Sequence, residues 1–209
     1  MNGAASRISI DVIPIYLTPR HDLIEQLVER LARAFEADVH ARHASFDPER
    51  AFDISRGQYN SRILLKLVLD DPASDGSKLL GVTSVDLFSP VLTYVFGEAQ
   101  LEGRAAVVSY HRLRPEAYGL PEDPALLSNR LEIEAVHELG HTFGLLHCRE
   151  QFCVMHASTY AEEIDLKSAE FCPDCVASAA GPVKSRATDP APWPQPRTGS
   201  TRRAPSPRR

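Results

Sequence analysis

The sequence predicts a domain that combines β-strands with α-helices, because two different periodicities alternate along the chain. Residues 8–15 form an alternating run rich in β-branched side chains, which is typical of a strand. Apolar residues then recur every three or four positions from Leu23 to Phe35, which predicts a long amphipathic helix packed against a sheet. The chain has 209 residues, of which 43% are hydrophobic, so it can bury one substantial core.

Several further elements follow from the same two patterns. A short strand is expected over residues 39–44, and Ile63, Leu64, Leu67 and Val68 predict a second amphipathic helix. Three more alternating runs predict strands, at residues 79–88, 94–98 and 105–113.

A third helix is predicted to begin near Asn129, which has an acidic residue three positions later, the spacing of a capping box. Its buried face is expected to consist of Leu131, Ala135, Leu139 and Phe143. This helix carries the stretch that is most informative about function.

That stretch is residues 137–148, which read HELGHTFGLLHC. His137 and His141 are four positions apart, so on a helix they share one face and can reach one metal ion. On a continuous helix His147 would lie about 15 Å beyond His137, since the rise is about 1.5 Å per residue. Gly144 stands where the helix must break, because glycine adopts the left-handed conformation without steric cost. The spacing therefore predicts a third histidine that turns back to the same ion.

Three nitrogen ligands leave a fourth zinc position for water, which is the arrangement of a catalytic site. Glu138 follows the first ligand and is suited to take a proton from that water and pass it to a leaving amine. The full pattern HExxHxxGxxH is the signature of the metzincin zinc peptidases. The alternative is a set of unrelated histidines on a helix and a loop, but the eleven-residue pattern is far more specific than a bare HExxH.

All four cysteines of the chain follow this motif, as two closely spaced pairs about twenty residues apart: Cys148, Cys153, Cys172 and Cys175. Such pairs are typical of a closed, tetrahedral thiolate zinc site, which would fold a segment with few apolar residues. No signal peptide is recognisable, so a disulfide or redox role is the less favoured alternative. The chain is thus expected to bind two zinc ions. Because His147 and Cys148 are adjacent, loss of the structural ion should disturb the third histidine.

Charge is unevenly distributed along the chain. The net charge is −5, but residues 181–209 carry +6, which leaves −11 for the remainder. The negative charge of the chain before residue 181 does not favour nucleic-acid binding by the folded domain. No apolar stretch is long enough to cross a bilayer, so we expect a cytoplasmic protein without a membrane partner, and a monomer.

The C-terminal segment differs in composition from the rest. Residues 177–209 are rich in Ala, Pro, Ser and Arg, and Val183 and Trp193 are nearly the only large apolar residues. Such a segment buries too little surface to offset the entropy of ordering, so we expect a disordered tail after a domain over residues 1–176. A tail without a partner is the simplest expectation. A weak electrostatic partner, nucleic acid or an acidic protein, is the alternative.

Residues 137–175 resemble the archaemetzincins, a branch of the metzincin clan. That family's pattern joins HExxHxxGxxHC to CxM and a later CxxC, and this chain has HELGHTFGLLHC, CREQFCVM and FCPDC. Weaker similarity extends to RGQYNS at residues 56–61 and GVTSVDL at residues 81–87.

The resemblance implies an α+β fold. A metzincin-like twisted mixed β-sheet would pack on two main helices plus the active-site helix, with a cleft along the sheet edge and a C-terminal zinc knuckle. Met155 would lie in the turn beneath the catalytic zinc, and Glu138 would be the general base. The implied zinc ligands are His137, His141 and His147 for the catalytic ion and Cys148, Cys153, Cys172 and Cys175 for the structural ion.

The implied activity is that of a zinc metallopeptidase acting on peptides or proteins, in some family members an aminopeptidase. An aminopeptidase needs an acidic group near the zinc, and Glu98, Glu162 and Glu163 are candidates. A substrate would lie beside an edge strand, for which residues 94–98 are suited. The alternative is a zinc-stabilised peptide- or protein-binding module with little catalysis, although the intact Glu138 argues against it.

Overall fold

The computed structural model describes residues 7–17, 21–72, 76–181 and 183. The strands of this part of the chain are β1 (Ser9–Ile15), β2 (Asp38–Ala41), β3 (Phe52–Asp53), β4 (Gln58–Asn60), β5 (Lys78–Thr83), β6 (Leu87–Ser89), β7 (Leu92–Val95), β8 (Gly97–Ala99) and β9 (Ala105–Ser109). The helices are α1 (His21–Phe35), α2 (Ser61–Asp70), α3 (Pro124–Thr142), α4 (Ala161–Ile164) and α5 (Pro173–Ser178). The α+β class that the resemblance implied is confirmed.

The main sheet has five strands in the order β2-β1-β5-β9-β8. The first four are parallel, and β8 is antiparallel to β9, so the sheet is mixed and β8 forms one edge. Strands β1, β5 and β9 are almost entirely buried, which explains their near-continuous apolar sequences. A second sheet has the order β3-β4-β6-β7.

Helices cover both faces of the main sheet. Side chains of α1 and α3 share one core with the residues on one face of β1, such as Ile10 and Val12. Side chains of α2 share the other core with Ile13 and Ile15, which point the opposite way. Helix α3, which carries His137 and His141, thus lies beneath the sheet and beside its β8 edge.

Two of the predicted strands are each divided between the two sheets. The run at residues 79–88 becomes β5 in the main sheet and β6 in the second sheet, and the run at residues 94–98 becomes β7 and β8. The expectation of single strands was wrong because alternation records which side chains are buried and not which strand is the partner. The run at residues 105–113 also ends earlier, at Ser109.

Helix α3 begins five residues before the predicted start. Asp123 is its N-cap, since its carboxylate accepts a hydrogen bond from the Leu126 amide at 2.9 Å, and Pro124 occupies the first turn. The capping box expected at Asn129 is therefore wrong. The predicted buried face is confirmed, because all four of its residues are at most 3% exposed.

The C-terminal part stays packed on the domain beyond residue 176. Helix α5 continues to Ser178, and the Ala180 amide donates to the Phe143 oxygen at 2.9 Å. The boundary expected after residue 176 thus falls inside a helix. Most of the expected tail, residues 184–209 and residue 182, lies outside the described residues. Within the described chain, no helix has the length and apolar character that crossing a bilayer requires.

Candidate active site

The active-site helix ends where the sequence predicted a break. Thr142 is the last residue of α3, and Gly144 has a φ of 84°, which is left-handed. The Gly144 amide donates to the His141 oxygen at 3.0 Å, and the Leu145 amide donates to the Gly140 oxygen at 3.2 Å. This turn closes the helix and sends the chain back toward its own histidines.

The three histidines meet after this turn. The ring centroids of His137, His141 and His147 lie 4.8 to 5.3 Å apart, and one ring nitrogen from each lies within 4.8 Å of the others. The Nε2 atoms of His137 and His141 are 3.1 Å apart. Zinc–nitrogen bonds of about 2.0–2.1 Å place tetrahedral ligand atoms roughly 3.3–3.4 Å apart, so these residues fit a zinc ion.

Backbone carbonyls orient two of the rings. His137 Nδ1 lies 2.7 Å from the Val154 oxygen, and His141 Nδ1 lies 2.7 Å from the Leu145 oxygen. A carbonyl can only accept, so each Nδ1 carries the hydrogen and each Nε2 presents a lone pair to the centre of the cluster. This is how ligating histidines are usually held, because the second hydrogen bond fixes the tautomer and the ring orientation.

Electrostatics keep these rings in the form that binds a metal. Burial lowers the pKa of His137 well below its usual value, and the charge of Lys167 and the neighbouring His141 lower it further. Burial also lowers the pKa of His141, and partial loss of hydration lowers that of His147. All three imidazoles are therefore neutral at neutral pH, which is the ligand state.

Glu138 lies beside the histidines and directly under the edge strand. A Cβ atom at Gly97 of β8 would lie 2.6 Å from both Cγ and Oε1 of Glu138, so only glycine allows this approach. Burial raises the pKa of Glu138 well above its usual value, and the charges of Glu134 and Glu98 add to the shift. The carboxylate is thus a stronger base than a carboxylate in water.

A cleft of about 300 Å³ opens beside these groups. Its walls are the stretch from Leu92 to Gly97, the segment of residues 157–159, and the side chains of Glu134, His137, Glu138 and His147. The cleft is therefore bordered by β7 and by the first residue of β8, the edge strand of the main sheet.

The three acidic residues suggested as amine-binding groups do not line this cleft. Glu98 accepts a hydrogen bond from Ser61 and pairs with Arg62 of α2 at 3.3 Å. Glu163 accepts hydrogen bonds from two backbone amides at the start of α4, and Glu162 is exposed. Among the described residues, the carboxylates that line the cleft are those of Glu134 and Glu138.

The four cysteines form a second cluster. The Sγ atoms of Cys148 and Cys172 are 3.7 Å apart, as are those of Cys153 and Cys175, and all four lie within 4.8 Å of one another. These distances exclude a disulfide, which requires about 2.05 Å. They fit a tetrahedral zinc ion, because Zn–S bonds of about 2.3 Å place the sulfur atoms roughly 3.8 Å apart.

Hydrogen bonds and burial around the cysteines also suit a metal. The Glu150 amide donates to Cys148 Sγ, and the Cys172 amide donates to Cys153 Sγ, each at 3.4 Å. Burial raises the pKa of the Cys153 thiol to about 11, and that of Cys175 is also raised, by burial and by Cys153. A metal ion must therefore displace protons from these thiols when it binds.

Met155 connects the two clusters. It is fully buried, and its sulfur lies against Gly140, which stands between the two helical histidines. Its oxygen accepts a hydrogen bond from the Cys148 amide at 2.8 Å. The cysteine-bearing segment, residues 148–175, also buries Val154, Ile164 and Phe171 in the main core. The expectation that this segment has few apolar residues to contribute was therefore wrong.

Sequence reasoning missed three contributors to the site. Gly97 and Lys167 gave no recognisable signal, because each lies far from the motif in the chain. Glu134 precedes Glu138 by four positions, so its place on the same helical face was predictable. Burial raises the pKa of Glu134, and pairing with Lys167 opposes this.

Three neutral imidazoles and a buried carboxylate, in a cleft at the edge of a mixed sheet, define a zinc metallopeptidase. The chain belongs to peptidase family M54, because the model of that family matches residues 47–180. It therefore acts on peptide bonds of peptides or proteins and uses zinc.

Relatives agree with this assignment over most of the chain. The archaemetzincin of Methanocaldococcus jannaschii is 44% identical over 129 residues, which cover 62% of this chain and 70% of the relative. The crystal structure of archaemetzincin from Methanopyrus kandleri has a TM-score of 0.72 at 35% identity, over 85% of this chain and 96% of that one. The crystal structure of a zinc-dependent peptidase from Methanocorpusculum labreanum has a TM-score of 0.70 at 29% identity, over 81% and 98%. The predicted resemblance to archaemetzincins is thus confirmed.

Proposed function

We propose that His137, His141 and His147 hold the catalytic zinc ion and that Glu138 is the general base for peptide hydrolysis. One observation carries this proposal. Two of the three rings are anchored through Nδ1, so their Nε2 lone pairs converge beside the Glu138 carboxylate, at the wall of an open cleft.

The roles of the protein groups follow from this arrangement. Bound zinc supplies Lewis-acid polarisation of the scissile carbonyl and lowers the pKa of water. Glu138 accepts one proton from the attacking water, whose oxygen forms the new bond to the carbonyl carbon. As the C–N bond breaks, Glu138 returns that proton to the departing nitrogen, so the products are a carboxylic acid and an amine. Its raised pKa, caused first by burial, suits it to both steps.

We further propose that a second zinc ion binds the four thiols and has a structural role. Four sulfur ligands fill a tetrahedral site and leave no position for water. The cluster ties residues 148–153 to residues 172–175, and it adjoins His147 through one peptide bond. Two zinc ions per chain are therefore expected.

An aminopeptidase preference, which the family resemblance suggests, stays a prediction. It requires a carboxylate that binds the free amine of the substrate, and Glu134 is a candidate because it lines the cleft. Glu134 is already paired with Lys167, however, which weakens its attraction for another cation. An assay must therefore distinguish cleavage at the N-terminus of a peptide from cleavage at an internal peptide bond.

The test compares the wild type with Glu138→Gln on a mixture of N-terminally free and acetylated peptides. We expect the substitution to lower kcat by about 10²–10⁴-fold while zinc content stays unchanged. Glu25→Gln, which alters an exposed glutamate of α1, is the control and should keep full activity. Hydrolysis of free peptides alone would assign an aminopeptidase, and hydrolysis of acetylated ones an endopeptidase. If Glu138→Gln is as active as the wild type, Glu138 is not the general base.

A further inference from the structure

Lys167 is a buried ammonium group close to the histidine cluster, and the proposed chemistry does not use it. Its side chain is 1% exposed. A buried charge is costly unless it is paired and hydrogen-bonded. Lys167 Nζ donates to the His156 oxygen at 2.9 Å and lies 3.3 Å from Glu134 Oε1 and 3.5 Å from the Val154 oxygen. These three partners match the three donors of an ammonium group.

Two of these partners lie on either side of Met155. The Val154 oxygen also accepts the hydrogen bond from His137 Nδ1, at 2.7 Å. Lys167 therefore holds the loop of residues 154–156 at both ends, and that loop in turn fixes the tautomer and orientation of His137. The Met155 sulfur packs under Gly140, between the helical histidines, so displacement of the loop would also reach helix α3.

The third partner of Lys167 is Glu134, and this ion pair lies next to Glu138. Glu134 lies one helical turn before Glu138 on α3, and both carboxylates are at least 94% buried from solvent, with 4% and 6% exposure. Two such carboxylates repel each other, and Lys167 supplies the compensating charge. Removal of the lysine would leave Glu134 uncompensated beside Glu138.

We propose that Lys167 and Glu134 form a positioning pair that holds the loop of residues 154–156 against helix α3, in the arrangement that the histidines need to bind zinc. The inference rests on the proposed function of the histidine cluster. The pair acts through the Val154 oxygen and His137, and not through contact with the reacting atoms.

The first experiment replaces Lys167 with methionine in the full-length protein. Zinc affinity is measured by competition with a chromophoric chelator, together with zinc content, kcat, KM and melting temperature. We expect the affinity of the histidine cluster to fall about 10- to 100-fold, as for other residues that orient metal ligands. We also expect kcat to fall, KM to change little, and the cysteine cluster to keep its zinc. Lys66→Met removes an exposed lysine that also pairs with an acid, Asp70, and is the matched control.

A second variant separates positioning from general stability. Glu134→Leu combined with Lys167→Met removes both charges, so it should recover most of the melting temperature lost in the single variant. Zinc affinity at the histidines should stay reduced, because the His156 oxygen loses the lysine donor and the Val154 oxygen keeps only that of His137. Lys167→Arg restores a donor and should recover part of the affinity.

Two results would overturn the inference. Either Lys167→Met keeps wild-type zinc affinity, or the double variant recovers zinc affinity and kcat together with its melting temperature. If the single variant does not fold, the double variant alone decides. His141→Ala distinguishes failure of the proposed function, because a variant that retains zinc at wild-type affinity would show that the histidines are not the zinc site.

Discussion

The two candidate metal clusters adjoin each other at His147 and Cys148, yet they are built in opposite ways. The histidine cluster takes two ligands from α3, a helix of 19 residues buried under the main sheet. The cysteine cluster takes all four ligands from short segments outside the sheet, two of them buried and two half-buried. Helix α3 thus positions two of the three histidines, whereas the cysteines lie on short segments that a metal ion would link.

Access to solvent differs as well. The histidine cluster opens into the cleft, and His147 is its exposed member. The cysteine cluster has four sulfur atoms around one centre, which leaves no open position. Two neighbouring clusters in one short segment can therefore suit different roles for a metal ion, because the number and type of ligands decide whether a position stays open for water.

The largest expected effect is that of Cys172→Ser. It should remove one zinc ion per chain and lower the melting temperature by many degrees, because thiolate zinc sites contribute about 10–16 kcal/mol in small zinc-finger peptides. Peptidase activity should also fall at least about tenfold, since second-sphere changes at metal sites typically cost 10–100-fold. Zinc analysis, thermal unfolding and peptide hydrolysis measure the three effects.

Asp174→Asn is the control for this variant, because Asp174 is an exposed residue between the last two cysteines. It should keep both zinc ions and full activity. A Cys172→Ser protein that lacks one zinc ion but retains wild-type activity would contradict the link between the two clusters.

In contrast to Cys172→Ser, the substitution His141→Ala should abolish activity without unfolding the domain. Activity should fall about 10³-fold or more, because the proposed catalytic ion loses a ligand, whereas the domain should stay folded. Alanine is a good helix former, and the buried face of α3 is untouched. His43→Ala, at an exposed histidine, is the control. Unfolding as severe as that of Cys172→Ser would show that the histidine cluster is not held by the fold.

The sequence was most informative where spacing alone fixes geometry. The break at Gly144 and the convergence of His137, His141 and His147 followed from the rise of a helix and the length of a metal bond. The cysteine pairs were predictable for the same reason. The order of the three long helices and of the main alternating runs was also predictable, since each buried face repeats with its own period, whereas the short elements β3, β4, α4 and α5 were not predicted.

Other features depend on contacts that a single sequence does not contain. The Val154 and Leu145 oxygens that orient the rings are backbone atoms, so no residue type marks them. Gly97 comes near Glu138 only because β8 is the edge strand above α3. The division of the predicted strands between two sheets likewise depends on pairing, and the start of α3 depends on which of two capping signals is used.

The response to pH should separate the two clusters further. The pKa values of the three histidines are lowered, first by burial, so these ligands carry no protons to displace above about pH 6.5. The thiols of Cys153 and Cys175 have raised pKa values and must lose protons when zinc binds. Zinc affinity of the cysteine cluster should therefore rise at least about 100-fold per pH unit between pH 6.5 and 8.5, since two or more protons are released.

The histidine cluster should show a nearly constant affinity over the same range and lose zinc only at lower pH. Its apo form should also lose stability as the pH falls below about 6.5, because the unfolded histidines take up protons before the folded ones do. Chelator competition with His141→Ala isolates the cysteine cluster, and the difference between the wild type and His141→Ala gives the zinc bound at the histidine cluster. Equal slopes for the two would contradict the assigned protonation states.

The smallest expected effect is that of a substitution at Gly97, which tests whether strand β8 constrains the Glu138 carboxylate. Gly97→Ala adds a Cβ atom 2.6 Å from Glu138 and 2.6 Å from the Val107 oxygen, so β8 or the carboxylate must move. We expect a cost of about 1–3 kcal/mol in stability, as for other overpacked sites, and a fall in kcat with both zinc ions retained. Ala99→Gly, on the same strand, controls for a general change in β8. Wild-type kcat in Gly97→Ala, with zinc content and melting temperature also unchanged, would show that the strand does not constrain Glu138.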